Sequence, residues 1–215
     1  LRVSANPEDT IYRFLGEGTW INLSSHALAW TWWWGQEMRD DAVRRGMRDL
    51  KPSNYGEIKK VSIHADGCMG ELAVSRMLGL GPYWPRMGTT HSEPDLGKGD
   101  RGVDVRAARL RNYGMWVRPE DTGPWPQALV LLHEIKQWRP LPEGKIYTPG
   151  RALVVGWYWP REARRHPEWY QHFGTGREPG YVVPQEYLYP MQDLITMLGY
   201  PGRTHARPER PAETG

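Results

Sequence analysis

Apolar residues recur three or four apart at Ala27, Trp30, Trp34, Met38, Val43, Met47 and Leu50, the period of a helix with one buried face. Ser24-Ser25 stands ahead of this run and can cap its first turn, so one long helix or two are predicted over 24–50. Arg39, Arg44, Arg45 and Arg48 fall on the outer side. Beyond a turn at Pro52 to Gly56, Asp66 is expected to cap a second helix that ends at Gly79-Leu80-Gly81. Met69, Leu72, Ala73 and Met77 form its buried stripe, and Glu71 lies beside that stripe.

The period then changes to two. Val103, Val105 and Ala107 alternate with Asp104, Arg106 and Ala108, so an extended chain projects Asp104 and Arg106 from one face. A turn at Arg111-Asn112 followed by Met115-Trp116-Val117 predicts the returning strand of a hairpin. Two apolar strands are expected at Ala128 to Ile135 and Ala152 to Trp159, joined by a Pro/Gly-rich excursion from Trp138 to Gly150. A helix over Pro160 to Trp169, a short strand at Tyr181 to Val183 and a helix over Pro190 to Leu198 complete the pattern. The expected fold class is α/β (α+β), organised as an extension over 1–23, one domain over 24–200 and an Arg/Pro-rich tail over 201–215.

Composition narrows the function classes only slightly. At 215 residues the chain can bury a core without staples, and its single cysteine, Cys68, allows no intramolecular disulfide. With no apolar run of membrane-spanning length and no leader pattern, a soluble cytoplasmic protein is expected. The net charge is +3, carried by 22 Arg against 6 Lys. Arginine's planar fork suits phosphate, yet GC-rich coding also produces such an excess, so both causes stay open. Trp32-Trp33-Trp34 could suggest a stacking platform, but consecutive helix positions point in different directions, and packing in the core or an interface is expected.

The candidate chemistry lies in acids. Pro94-Asp95, followed by Asp104-Val105-Arg106 and preceded by Glu71, could hold a hard divalent cation through oxygen, with Arg106 steadying charge on a phosphate under attack. The bland alternative makes Asp95 a turn cap and Asp104 the surface ion-pair partner of Arg106. Glu134-Ile135-Lys136 is a rival acid-x-Lys string that offers a true lysine, if the sheet brings its end beside Asp95. Glu57-Ile58-Lys59 stands in the wrong order. The histidines show no zinc-type pairing, His91 being the one close to Asp95, and no phosphate loop or serine elbow is present. Cys68 is expected to be a small packing residue.

An ordered series extends this pattern. Gly67-x-x-Gly70-Glu71-Leu72-Ala73-Val74, Leu78-Gly79, Pro94-Asp95-Leu96-Gly97, Val103-x-Val105-Arg106, Val117-Arg118-Pro119-x-Asp121 and Leu129-Val130-Leu131 come in turn. Val155-Gly156-Trp157, Arg161 to Trp169 and Tyr181-x-Val183-Pro184-x-x-x-Leu188-x-Pro190 complete it. Over roughly 25–195 the chain resembles phage-encoded proteins related to the PD-(D/E)XK nucleases. The resemblance implies a restriction-endonuclease-like core, a mixed central sheet flanked by helices, that cuts DNA with Mg2+ or Mn2+. Asp95 and Asp104 would be its metal-binding acids, the Val105 carbonyl a further ligand, and Glu71 a ligand through water or an outer support. Arg106 stands where the family usually has lysine; arginine can orient or stabilise but cannot act as a base.

The expected partner is DNA, or RNA, approached through Arg44, Arg45, Arg109 and Arg111, with a homodimer as an option for cutting both strands and no membrane contact. Two other classes stand beside the nuclease. One keeps the fold as an inactive nucleic-acid or protein-binding module, and the other is a Trp-rich assembly protein.

Overall fold

The computed structural model describes residues 18–46, 57–81, 83, 85, 93–109, 114–133, 150–172 and 178–202. Among these, β1 (Thr19–Leu23), α1 (Ser25–Arg44) and α2 (Glu57–Leu78) come first. β2 (Asp104–Ala108), β3 (Met115–Val117), β4 (Gln127–His133) and β5 (Gly150–Tyr158) follow, then α3 (Pro160–Ala163), β6 (Tyr170–Gln171), β7 (Gly180–Val183) and α4 (Met191–Leu198).

A mixed four-stranded sheet runs β1-β5-β4-β2 among the described residues, with β2 parallel to β4 and the other pairs antiparallel. β4 is buried along nearly its whole length because both of its faces carry apolar residues. Ala128, Val130 and Leu132 face a core shared with α1, α2 and α4, while Leu129 and Leu131 face a second core. That second core is closed by α3, by Trp169 and by a small sheet of order β3-β7-β6. The molecule is therefore mixed α+β, with helices on one face of the main sheet and a small sheet with short helices on the other.

Local chemistry accounts for the helix ends. The Ser24 hydroxyl accepts from the Ala27 N–H at 3.2 Å, Gly79 adopts φ +69° after α2, and Gly199 adopts φ +62° after α4. Met69, Leu72, Ala73 and Met77 are buried as the helical stripe requires. Gly70 lets α2 settle on β2: a β-carbon there would meet Ala107 Cβ at 2.9 Å and Val105 Cγ1 at 3.2 Å. No helix of the described residues is long and apolar enough to cross a membrane.

Several expectations are corrected. Asp66 does not cap α2, which begins at Glu57; its carboxylate instead meets Arg109 through two bonds of 2.6 and 2.7 Å. β3 does not return beside β2 as a hairpin. It pairs with β7, Met115 opposite Val183, and its buried Met115 and Val117 belong to the second core. Pro160 to Trp169 is not one helix, because Pro167 holds His166 out of helical conformation, at φ −113° and ψ 80°. A 3-10 turn over Pro167–Trp169 follows instead. Of the three consecutive tryptophans, Trp32 is buried whereas Trp33 is half exposed on the outer side of α1.

Candidate functional site

The candidate site lies at the start of β2, the edge strand of the main sheet among the described residues. Leu96 and Val103 form an antiparallel bridge and exchange hydrogen bonds of 3.0 and 2.9 Å. Just beyond this isolated bridge Asp95 lies close to Asp104, whose carboxylate accepts from the Asp95 N–H. The loop joining the two arms turns on Gly97, at φ +72°, where a β-carbon would fall 2.2 Å from the Arg101 carbonyl oxygen. Arg101 fastens that loop to the end of α4, donating to the Gly199 carbonyl at 2.9 Å and lying 4.4 Å over the Tyr200 ring.

Backbone directions alternate along β2. The Asp104 N–H bonds the Pro126 carbonyl at 2.9 Å, so Asp104 turns its peptide groups toward β4 and Val105 turns its own away from β4. There the Val105 N–H donates to Asp95 Oδ2 at 2.7 Å, which fixes that carboxylate beside the edge. The Val105 carbonyl points to the same side as its N–H. Two carboxylates and a carbonyl outside the β2–β4 ladder thus flank one stretch of strand.

Asp104 is partly withdrawn from water, and its carboxyl is pushed up to about 6 by burial and by the charge of Asp95; Arg106 and the Asp95 N–H oppose this only in part. Arg106 shares the Asp104 face, as the alternation requires, but its ion pair is with Asp121, at 3.0 Å. This corrects the surface pairing of Asp104 with Arg106. Asp121 Oδ2 also accepts from the Arg118 N–H at 2.8 Å and from Gln127 Nε2 at 3.1 Å, and the Asp121 carbonyl accepts from Arg164. Burial alone would raise the Asp121 carboxyl, but Arg106 and these donors hold it below the ordinary aspartate range.

Glu71 lies across the sheet. It sits on α2, on the face opposite that of Asp104, and its carboxylate accepts from the Tyr83 hydroxyl. Asp95 stands between the two environments. Its charge reaches Cys68 and Tyr83 on the helix side as well as Asp104, and burial first, then Glu71, raises the Cys68 thiol well above its usual range. The buried Cys68 Sγ contacts Met38 Sδ at 3.4 Å, as a packing residue would. Among the described residues no three His, Cys, Asp or Glu side chains gather closely enough to hold a metal as a complete cage. A donor set of two carboxylates and a carbonyl, all oxygen, fits Mg2+, which commonly takes one or two carboxylates and keeps several waters.

The arginines expected to meet nucleic acid divide. Arg44 and Arg45 are well exposed and lean on Asp41 at 3.7 and 2.9 Å. Arg109 spends its fork on Asp66. Arg111, His91, Glu134 and Lys136 lie outside the described residues. Gln127, at the start of β4, lies opposite Asp104, and β4 ends at His133. The residues that sequence reasoning misses are Asp121, Gln127 and Arg164. Only Gln127 carries a local signal, a polar residue opening an apolar strand. No family model, curated protein or solved structure matches this chain.

Proposed function

We propose that the chain is a nuclease of PD-(D/E)XK type that hydrolyses DNA phosphodiester bonds with Mg2+ or Mn2+. The observation that carries this reading is the Asp95–Asp104 pair: two acids close together at the start of β2, the edge strand of the described sheet, one of them buried enough to keep its carboxyl at about 6. Such an arrangement is unfavourable in itself and is relieved by a divalent cation. Asp95 and Asp104 would hold the ion, with the Val105 carbonyl as a further donor and Glu71 as an outer support behind Asp95. When bound, the cation would lower the pKa of a coordinated water and polarise the phosphate. Arg106 would steady charge on the phosphoryl oxygens; it cannot take the proton, because its guanidinium stays charged. Arg44 and Arg45 offer exposed charge to the DNA backbone.

A second reading, an inactive binding module of the same fold, is favoured by one observation. Glu71 faces the other side of the sheet, so no three-acid group forms among the described residues. Incubation of plasmid and single-stranded DNA with Mg2+, Mn2+ or a chelator separates the two. Metal-dependent cutting that disappears in Asp104→Ala supports the nuclease. Cutting that survives this change removes the assignment, and salt-sensitive binding without cutting under either metal supports the module.

A further inference from the structure

Asp104 can serve a cation only if Arg106 leaves it accessible. The two side chains project from one strand face, two positions apart, and an arginine is long enough to fold back over the acid. The structure holds Arg106 elsewhere, with Nη2 at 3.0 Å from Asp121 Oδ2. Asp121 is almost fully buried, at 7% side-chain exposure, and its carboxylate is fixed by the Arg118 N–H and by Gln127. Gln127 is itself fully buried and lies directly opposite Asp104 in the β2–β4 register, so the anchor that sets Asp121 is built beside the acid it protects. Arg106 Nε and Gln127 Oε1 are buried with no hydrogen-bond partner among the described residues.

We propose that Asp121 is a positioning residue of this site, which holds the Arg106 guanidinium off Asp104 so that the Asp104 carboxylate is left to the divalent cation. This rests on the metal-dependent reading above. Replacing Asp121 by Asn keeps an acceptor for the Arg118 N–H but removes the charge that competes for Arg106. The guanidinium then turns to the nearest remaining carboxylate, Asp104, and competes there with the cation. Asp121 therefore acts through Arg106 and touches neither cation nor substrate.

Calorimetric titration of Mn2+ into wild type, Asp121→Asn, Asp121→Glu, Arg106→Gln and the double variant Asp121→Asn/Arg106→Gln tests this, with circular dichroism and melting curves checking that each is folded. Asp121→Asn is expected to weaken Mn2+ binding about tenfold, a coupling of ordinary size for residues sharing one network. Asp121→Glu keeps the charge and is expected to retain wild-type affinity. Arg106→Gln is expected to bind Mn2+ at least as well as wild type while losing DNA cutting, and the double variant is expected to recover affinity relative to Asp121→Asn. Unchanged affinity in Asp121→Asn, or no recovery in the double variant, overturns the proposal. Equal loss in Asp121→Asn and Asp121→Glu assigns Asp121 a structural role and also overturns it. A wild-type protein that binds no Mn2+ contradicts the metal reading itself, and the role of Asp121 falls with it.

Discussion

Asp104 lies close to Asp95, its carboxylate accepting from the Asp95 N–H just beyond the Leu96–Val103 bridge, and burial together with the charge of Asp95 keeps its carboxyl at about 6. The folded protein thus binds this proton more tightly than the unfolded chain does. Its contribution to stability is fully present below the ordinary aspartate range and is lost as pH rises through about 6. Without a cation, Asp104→Asn is expected to melt a few degrees above wild type near pH 7.5, a gain on the order of 1–3 kcal/mol. The difference is expected to vanish near pH 4. Melting curves at the two pH values measure it, and an equal shift at both would detach the effect from ionisation.

On the proposed metal reading, the same acid sets a pH limit on cation binding. Asp104 must be ionised to hold the ion, so Mn2+ affinity at fixed ionic strength is expected to fall as pH drops through about 6. Titrations at several pH values follow this, and a flat profile from pH 5 to 8 would remove Asp104 from the ligand set.

Gly97 is the turn that brings the two arms together. Gly97→Ala places a β-carbon against the Arg101 carbonyl at φ +72°. The left-handed backbone conformation alone costs an alanine about 1–2 kcal/mol, and the collision adds to it. A destabilisation of at least about 2 kcal/mol in urea unfolding is expected, with weakened Mn2+ binding in whatever fraction folds.

Arg109 and Asp66 form a forked, half-buried pair between α2 and the end of β2. A double-mutant cycle with alanine at both positions is expected to give a coupling of about 1–2 kcal/mol, larger than an exposed pair supplies. By contrast, Arg44→Ala/Arg45→Ala is expected to leave stability within about 0.5 kcal/mol of wild type. It should weaken DNA binding across sequences and reduce the salt slope by about 2.

What is legible in the sequence follows the range of the forces involved. Ser24 and Gly79 mark helix ends correctly because capping is settled within a few residues. The shared face of Asp104 and Arg106 is legible because strand alternation is local. Strand partners are not. Met115–Val117 reads as the neighbour of β2, yet it joins β7, some sixty residues onward, because its buried side chains complete the second core. Asp66 has the chemistry of a cap and serves Arg109 instead, since the benefit comes from a residue distant in sequence. Asp121 escapes for the same reason: an acid after a turn looks like any other until Arg106, Gln127 and Arg164 converge on it.

On the proposed function, Asp95 and Asp104 hold the divalent cation with which this chain would cut DNA. Single-turnover cleavage of DNA over a Mg2+ series, by wild type and by Asp95→Asn and Asp104→Asn variants that remain folded, tests it most directly. The expected result is Mg2+-dependent cutting by wild type and a loss on the order of a thousandfold or more in each variant, with DNA binding retained. Cutting by either variant at the wild-type rate, or no metal-dependent cutting by the wild-type protein, would contradict it.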